Sequence, residues 1–117
     1  MKPAEEAVLA RIRDACSKLP ETEERLSHGA PAFFRRGRQF LHVWSNHHGD
    51  GLFALWCASD ALARDMLVEA DPERFYVPPY VGHRGWLGAR LDLHYAPGDL
   101  ESLVGAAYAA VAPRRRG

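Results

Sequence analysis

The chain has no net charge, almost no cysteine and no long apolar run, and each of these lacks removes a class of protein. Fifteen basic and fifteen acidic side chains cancel, so no whole-molecule field draws it to nucleic acid, and any such contact must come from local patches. Cys16 and Cys57 are its two cysteines; with no CxxC and no paired spacing they form no disulfide framework and suit a reducing compartment. The N-terminal MKPAEEAVLARIRDACSKL is charged throughout, and no stretch approaches a membrane span, so a cytoplasmic location and no membrane partner are expected. There is no GxSxG elbow, and GHRGWLG opens a strand rather than a helix, so the dipole-assisted phosphate site is missing too. His47, His48 and Asp50 in SNHHGDG lack HxH, HxxxH or carboxylate spacing and read as a turn. Together these lacks predict a protein that is not an enzyme and needs no metal or cofactor.

What is present is an ordinary globular balance, 47% hydrophobic and 26% charged over 117 residues. That suits one domain, over 1–113, followed by a basic tail at 114–117. Val8, Ile12 and Cys16, with Leu9 and Leu19 beside them, form a helical stripe behind Pro3, and Cys16 reads as a small buried thiol. From Glu23 to Cys57 the period changes to two. Strands are expected near 23–28, 32–36, 39–46 and 51–57, punctuated by HGAP, RRGR and NHHGDG. A second helix follows, capped by Ser59 or Asp60 with Leu62, Met66 and Leu67 inward, and Asp71-Pro72 ends it. Strands around 74–77 and 85–94 precede a last helix capped by Asp99. The order predicts an α+β two-layer sandwich, an antiparallel five- or six-stranded sheet with three helices on one face.

Parity along the strands assigns faces. Leu41, Val43, Phe53, Leu55, Cys57, Leu87, Ala89, Leu91 and Leu93 fall on the core side; Phe40, His42, Trp44, Leu52, Ala54, Trp56, Trp86, Gly88, Arg90 and Asp92 fall opposite. All three tryptophans therefore share the face the helices leave uncovered. That face is either shielded by loops or a partner subunit, or serves as a binding platform. Cationic residues gather nearby: Arg35, Arg36 and Arg38 at one hairpin tip, His83 and Arg84 at another, Arg114 to Arg116 in the tail. The candidate nucleic-acid-binding set is Arg35, Arg36, Arg38, Trp44, His83, Arg84, Trp86 and Arg90, with Trp56 as a further stacking ring. Arginines would hold phosphates while rings stack on bases, and charging of His42, His47, His48 and His83 would strengthen both at acid pH.

The segments HGAPAFFRRGRQF, NHHGDG with FALWCA, ADPERFYVPPYVGHRGWLGARLD and the terminal VAPRRR resemble the MmcQ/YjbR family of small bacterial proteins, over about residues 5 to 115. Arg38-Gln39 departs from the lysine often found after that glycine. The resemblance implies a secretion-chaperone-like or CyaY-like α-β-α-β-α sandwich, and DNA binding through a "double wing" of hairpins. It carries no catalytic residues. The alternative it leaves is a protein-interaction or chaperone-like module, possibly dimeric, using the same face.

Overall fold

A computed structural model describes residues 1–112; Pro113 and the basic tail lie outside the described residues. α1 (Pro3–Ser17) leads into a meander of four strands: β1 (Thr22–Ser27), β2 (Ala30–Arg35), β3 (Arg38–Ser45) and β4 (Phe53–Cys57). α2 (Ala61–Ala70) crosses from β4 to β5 (Phe75–Tyr76), then come β6 (Leu87–Arg90) and α3 (Asp99–Ala110). The six strands form one antiparallel sheet in the order β1-β2-β3-β4-β6-β5, and with three helices this is the expected α+β fold.

Local chemistry sets the boundaries. Thr22 Oγ1 donates to the carbonyls of Cys16 and Leu19, closing the end of α1 against the start of β1. The β2–β3 turn is Arg36-Gly37, both at positive φ (47° and 81°), the two-residue geometry that matches strand twist and favours glycine second. Asp60 caps α2, its Oδ1 accepting from Ala63 N–H at 2.8 Å. Asp99 lies in the first turn of α3, whose N-cap is Gly98; the carboxylate there favours the positive end of the helix dipole instead of capping it.

Leu41, Val43, Phe53, Leu55, Leu87, Leu91 and Val104 are buried as expected, and Leu103 is half-buried. Leu9, Ile12 and Cys16 from α1 join them. Burial pushes the thiols of Cys16 and Cys57 up to about 12, so both behave as small apolar groups rather than nucleophiles.

Two face assignments fail. Phe40 is on the core side, fully buried and edge-on to Tyr108 of α3 at 5.7 Å. Phe33 pairs with Leu41 but Phe34 with Gln39, so Phe40 is the extra residue of a β-bulge; the bulge breaks strict alternation and turns the ring inward. On α2, Leu62 and Met66 are 73% and 64% exposed. Leu67 faces inward as expected, joined by Arg64 and Val68, because Arg64 Nη1 donates to the Gly82 carbonyl at 2.7 Å and fixes the helix rotation. The last strand also stops at Arg90, short of 94, where the Arg90 carbonyl accepts from Tyr95 Oη at 2.7 Å.

Candidate functional site

The face away from α1 and α3 is built by register. His42 lies opposite Trp56 and Trp44 opposite Ala54, while Trp56 pairs with Gly88 and Ala54 with Arg90. Parity thus placed His42, Trp44, Trp56 and Arg90 on the correct side. It did not foresee their cover. Residues 77–86 fold back over the sheet instead of projecting as a wing, and Trp56 and Trp86 are each only 4% exposed. Trp56 Nε1 donates to Tyr76 Oη at 3.1 Å, which satisfies the indole that burial would otherwise penalise.

Between this roof, the β1–β2 turn and the β3–β4 loop lies a cleft of about 970 Å³, large enough for a small planar ligand. Trp44, Trp56, Trp86, His42, His47 and Tyr80 are its principal rings. They touch: Trp44 and Trp56 centroids are 5.2 Å apart, and His42 lies 4.2 Å from Trp44. The cleft is lined by Arg84 and four histidines, and no Asp or Glu lines it. At neutral pH the described lining residues therefore carry no negative side chain.

The histidines are poised by burial. His42 is almost fully buried, and its Nε2 lies 2.9 Å from the Ser27 carbonyl. A carbonyl only accepts, so Nε2 carries the proton. Burial holds His42 below the usual imidazole value, against the raising effect of the Ser27 carbonyl. His47 is lowered as well, by burial first and by His48 second, with Asp50 opposing. Ser27 Oγ lies 3.2 Å from His28 Nδ1, with Ser27 half-buried and His28 exposed. Among the described residues no group of three or more His, Cys, Asp or Glu side chains could hold a metal ion.

Of the candidate set, the cleft gathers Trp44, Arg84 and Trp86. Arg84 Cζ sits 5.4 Å from the Trp86 ring centroid, and His83 is exposed on the same short turn but outside the lining. The remaining arginines are elsewhere or already engaged. Arg35 lies over Tyr108 at 3.9 Å and donates to its carbonyl at 3.1 Å, which puts it on the helix side. Arg36 pairs with Glu21 at 3.0 Å, and Arg90 makes a two-pronged contact with Asp92 at 3.1 and 2.8 Å. Arg38 is exposed at the tip, six residues and so about 20 Å of strand from Trp44. Tyr80 escaped the sequence reading, although PPYVG holds it between stiff and flexible residues; its ring is 69% exposed at the cleft mouth. His28 and Asn46 also line the cleft without any periodic signal to mark them.

The YjbR family model matches residues 17–110. The chain belongs to the YjbR family. A solved family-like structure, the Deinococcus radiodurans protein DR2400 with a DUF419 domain, superposes with a TM-score of 0.70 at 17% identity, covering 86% of this chain and 75% of that one. That likeness establishes the fold and nothing finer. Comparison with curated proteins found no match. Among the described residues of this YjbR-family protein, no helix is long and apolar enough to cross a membrane.

Proposed function

We propose that this YjbR-family protein is a non-catalytic nucleic-acid-binding protein that takes single-stranded DNA or RNA along the Trp44–Trp56–Trp86 cleft. The observation that carries the reading is the lining: exposed and half-exposed rings next to Arg84 and four imidazoles, with no Asp or Glu among the described lining residues. Trp44 and Tyr80 are the rings a base reaches, each worth ~1–3 kcal/mol when stacked. Trp56 and Trp86 lie beneath and hold the walls. A duplex is a poorer fit, since the roof at 77–86 closes the flat platform that a double helix would need, and Arg36 and Arg90 already have carboxylate partners. With one arginine at the site and zero net charge, affinity is expected to be weak and salt-sensitive.

Tryptophan fluorescence titration with matched single- and double-stranded oligonucleotides at two salt concentrations tests this. Quenching by the single strand that fades with salt supports it; no change at low salt removes it. A second reading, docking of a protein partner, is favoured by Leu62 and Met66, one turn apart and exposed on α2. Sedimentation at rising concentration reports self-association through that face.

A further inference from the structure

We propose that the His47 ring is a place-holder in the cleft and that one unpaired base takes its position; the inference rests on the nucleic-acid reading above. The ring centroid lies 4.3 Å from Trp44, 4.9 Å from Trp56, 4.1 Å from His48 and 5.8 Å from Tyr80. These are four aromatic walls around one small planar ring. His47 meets both tryptophans at steep angles, 67° and 68°, so it stacks parallel on neither. Among the described residues no side-chain hydrogen bond of His47 accompanies these contacts. Directly beside it, Trp44 Nε1 is buried with no hydrogen-bond partner among the described residues. A buried N–H left unpaired is costly, and a nucleobase brings the ring nitrogen or carbonyl acceptor that His47 does not supply.

The loop carrying His47 is strained on both sides of it. Asn46 and His48, its two neighbours, both hold positive φ, 56° and 49°, a conformation costing non-glycine residues energy. The neck below is tied independently: Asn46 N–H donates to the Leu52 carbonyl at 2.7 Å, and Gly51 N–H to Asn46 Oδ1 at 2.8 Å. The tip is itself a short hydrogen-bonded turn, Gly49 N–H donating to the Asn46 carbonyl and Asp50 N–H to the His47 carbonyl, both at 3.1 Å, so the imidazole leaves by side-chain rotation while the turn and the β3–β4 register stay fixed. Charge also bears on the ring. His48 and Asp50 face it from its own loop, His42 from β3, and Tyr80 from the roof; Arg84 lines the same cleft. β4 contributes only the indole of Trp56. Burial, the largest of these influences, disfavours an imidazolium at this position, so protonation favours a ring that has left the slot.

Two measurements on the full chain, wild type and His47→Ala, separate this inference from its foundation. The first uses no ligand: acrylamide quenching of tryptophan emission at pH 8. Stronger quenching in His47→Ala is expected as Trp44 is uncovered, and equal quenching overturns the place-holder. The second titrates a twelve-residue oligothymidylate. Removing the place-holder should tighten binding about fivefold, as when a binding-competent state populated at about one-fifth becomes fully populated. Unchanged or weaker binding by His47→Ala, where the wild type binds, overturns the inference and leaves the nucleic-acid reading standing. Stronger acrylamide quenching with no oligonucleotide binding by either protein overturns base occupancy together with that reading.

Discussion

Gly88→Ala tests whether the cleft floor is as tightly set as the register implies. Gly88 faces Tyr76 across the β5–β6 pair, and a Cβ there would lie 2.5 Å from Tyr76 Cζ and 2.7 Å from both Cε atoms. Relief requires the phenol to retreat by about 1 Å, which stretches its 3.1 Å bond from Trp56 Nε1 past the useful hydrogen-bonding range. Overpacking costs ~1–3 kcal/mol, and orphaning a buried indole N–H costs a further ~1–3 kcal/mol. Restricting the unfolded chain returns ~0.5–1 kcal/mol, leaving a net loss of about 1–5 kcal/mol, a large part of a typical domain stability. Urea unfolding followed by far-ultraviolet circular dichroism should show the midpoint falling by about 0.5–2.5 M at an m of about 2 kcal/mol/M, with m itself unchanged. The decisive comparison is Gly88→Ala in a Tyr76→Ala background. There the obstacle is gone and the substitution should be close to neutral, giving a coupling of at least about 1.5 kcal/mol. Additivity within ~0.5 kcal/mol would refute the argument.

Phe40→Ala should cost about 3–5 kcal/mol in the same assay, more than Phe34→Ala, whose half-buried ring lies beneath Arg25; a cost below that of Phe34→Ala would remove the bulge. Because His42 stays neutral in the folded protein at a pH where a free imidazole charges, stability should be full above about pH 6.5 and fall below it, by up to ~1.4 kcal/mol per pH unit. His42→Gln should flatten that slope, and a slope unchanged by it would contradict the burial argument. Asp92, held below its usual value by Arg90, loses its contribution only at lower pH, beneath the ordinary carboxylate range, so the two windows separate. Arg84→Ala should weaken single-strand binding and reduce the salt slope by about 0.7, whereas Arg36→Ala should leave both unchanged; the reverse result would move the phosphate contact to the β2–β3 tip.

Much of this fold was legible because local chemistry and periodicity agreed. HGAP, RRGR and NHHGDG mark three turns that the chain makes, and of the two caps expected for α2, Ser59 or Asp60, it is Asp60 that caps it. Alternation failed where it depended on unbroken pairing. One extra residue at Phe40 reverses a side chain, and no single-sequence signal marks it. Beyond Arg90, Leu91 and Leu93 continue the strand rhythm, but Tyr95 and Asp92 draw the chain into a turn through contacts invisible to periodicity. The site was harder still. Parity identified the face carrying the tryptophans, yet their exposure depends on where residues 77–86 come to rest, and that is set by an arginine on α2 reaching the Gly82 carbonyl. The clusters of arginine looked alike in sequence; only their partners, Tyr108, Glu21 and Asp92, distinguish structural cations from an available one.

The strand order also bears on synthesis. β1 to β4 pair with immediate neighbours in the chain, so that meander can assemble as it leaves the ribosome. Every residue of β4, FALWC, is buried in the finished protein, and its second neighbour, β6, starts thirty positions after β4 ends. Until those residues emerge, β4 is an open edge of five apolar or aromatic side chains, the kind of segment that recruits strands from other molecules. A nascent or truncated chain ending within α2 should therefore aggregate or occupy chaperones, although the complete protein presents no such edge at β4. The crossover that builds the aromatic cleft is also what ends this exposure, so the cleft and the cover over the β4 edge are completed in the same folding step.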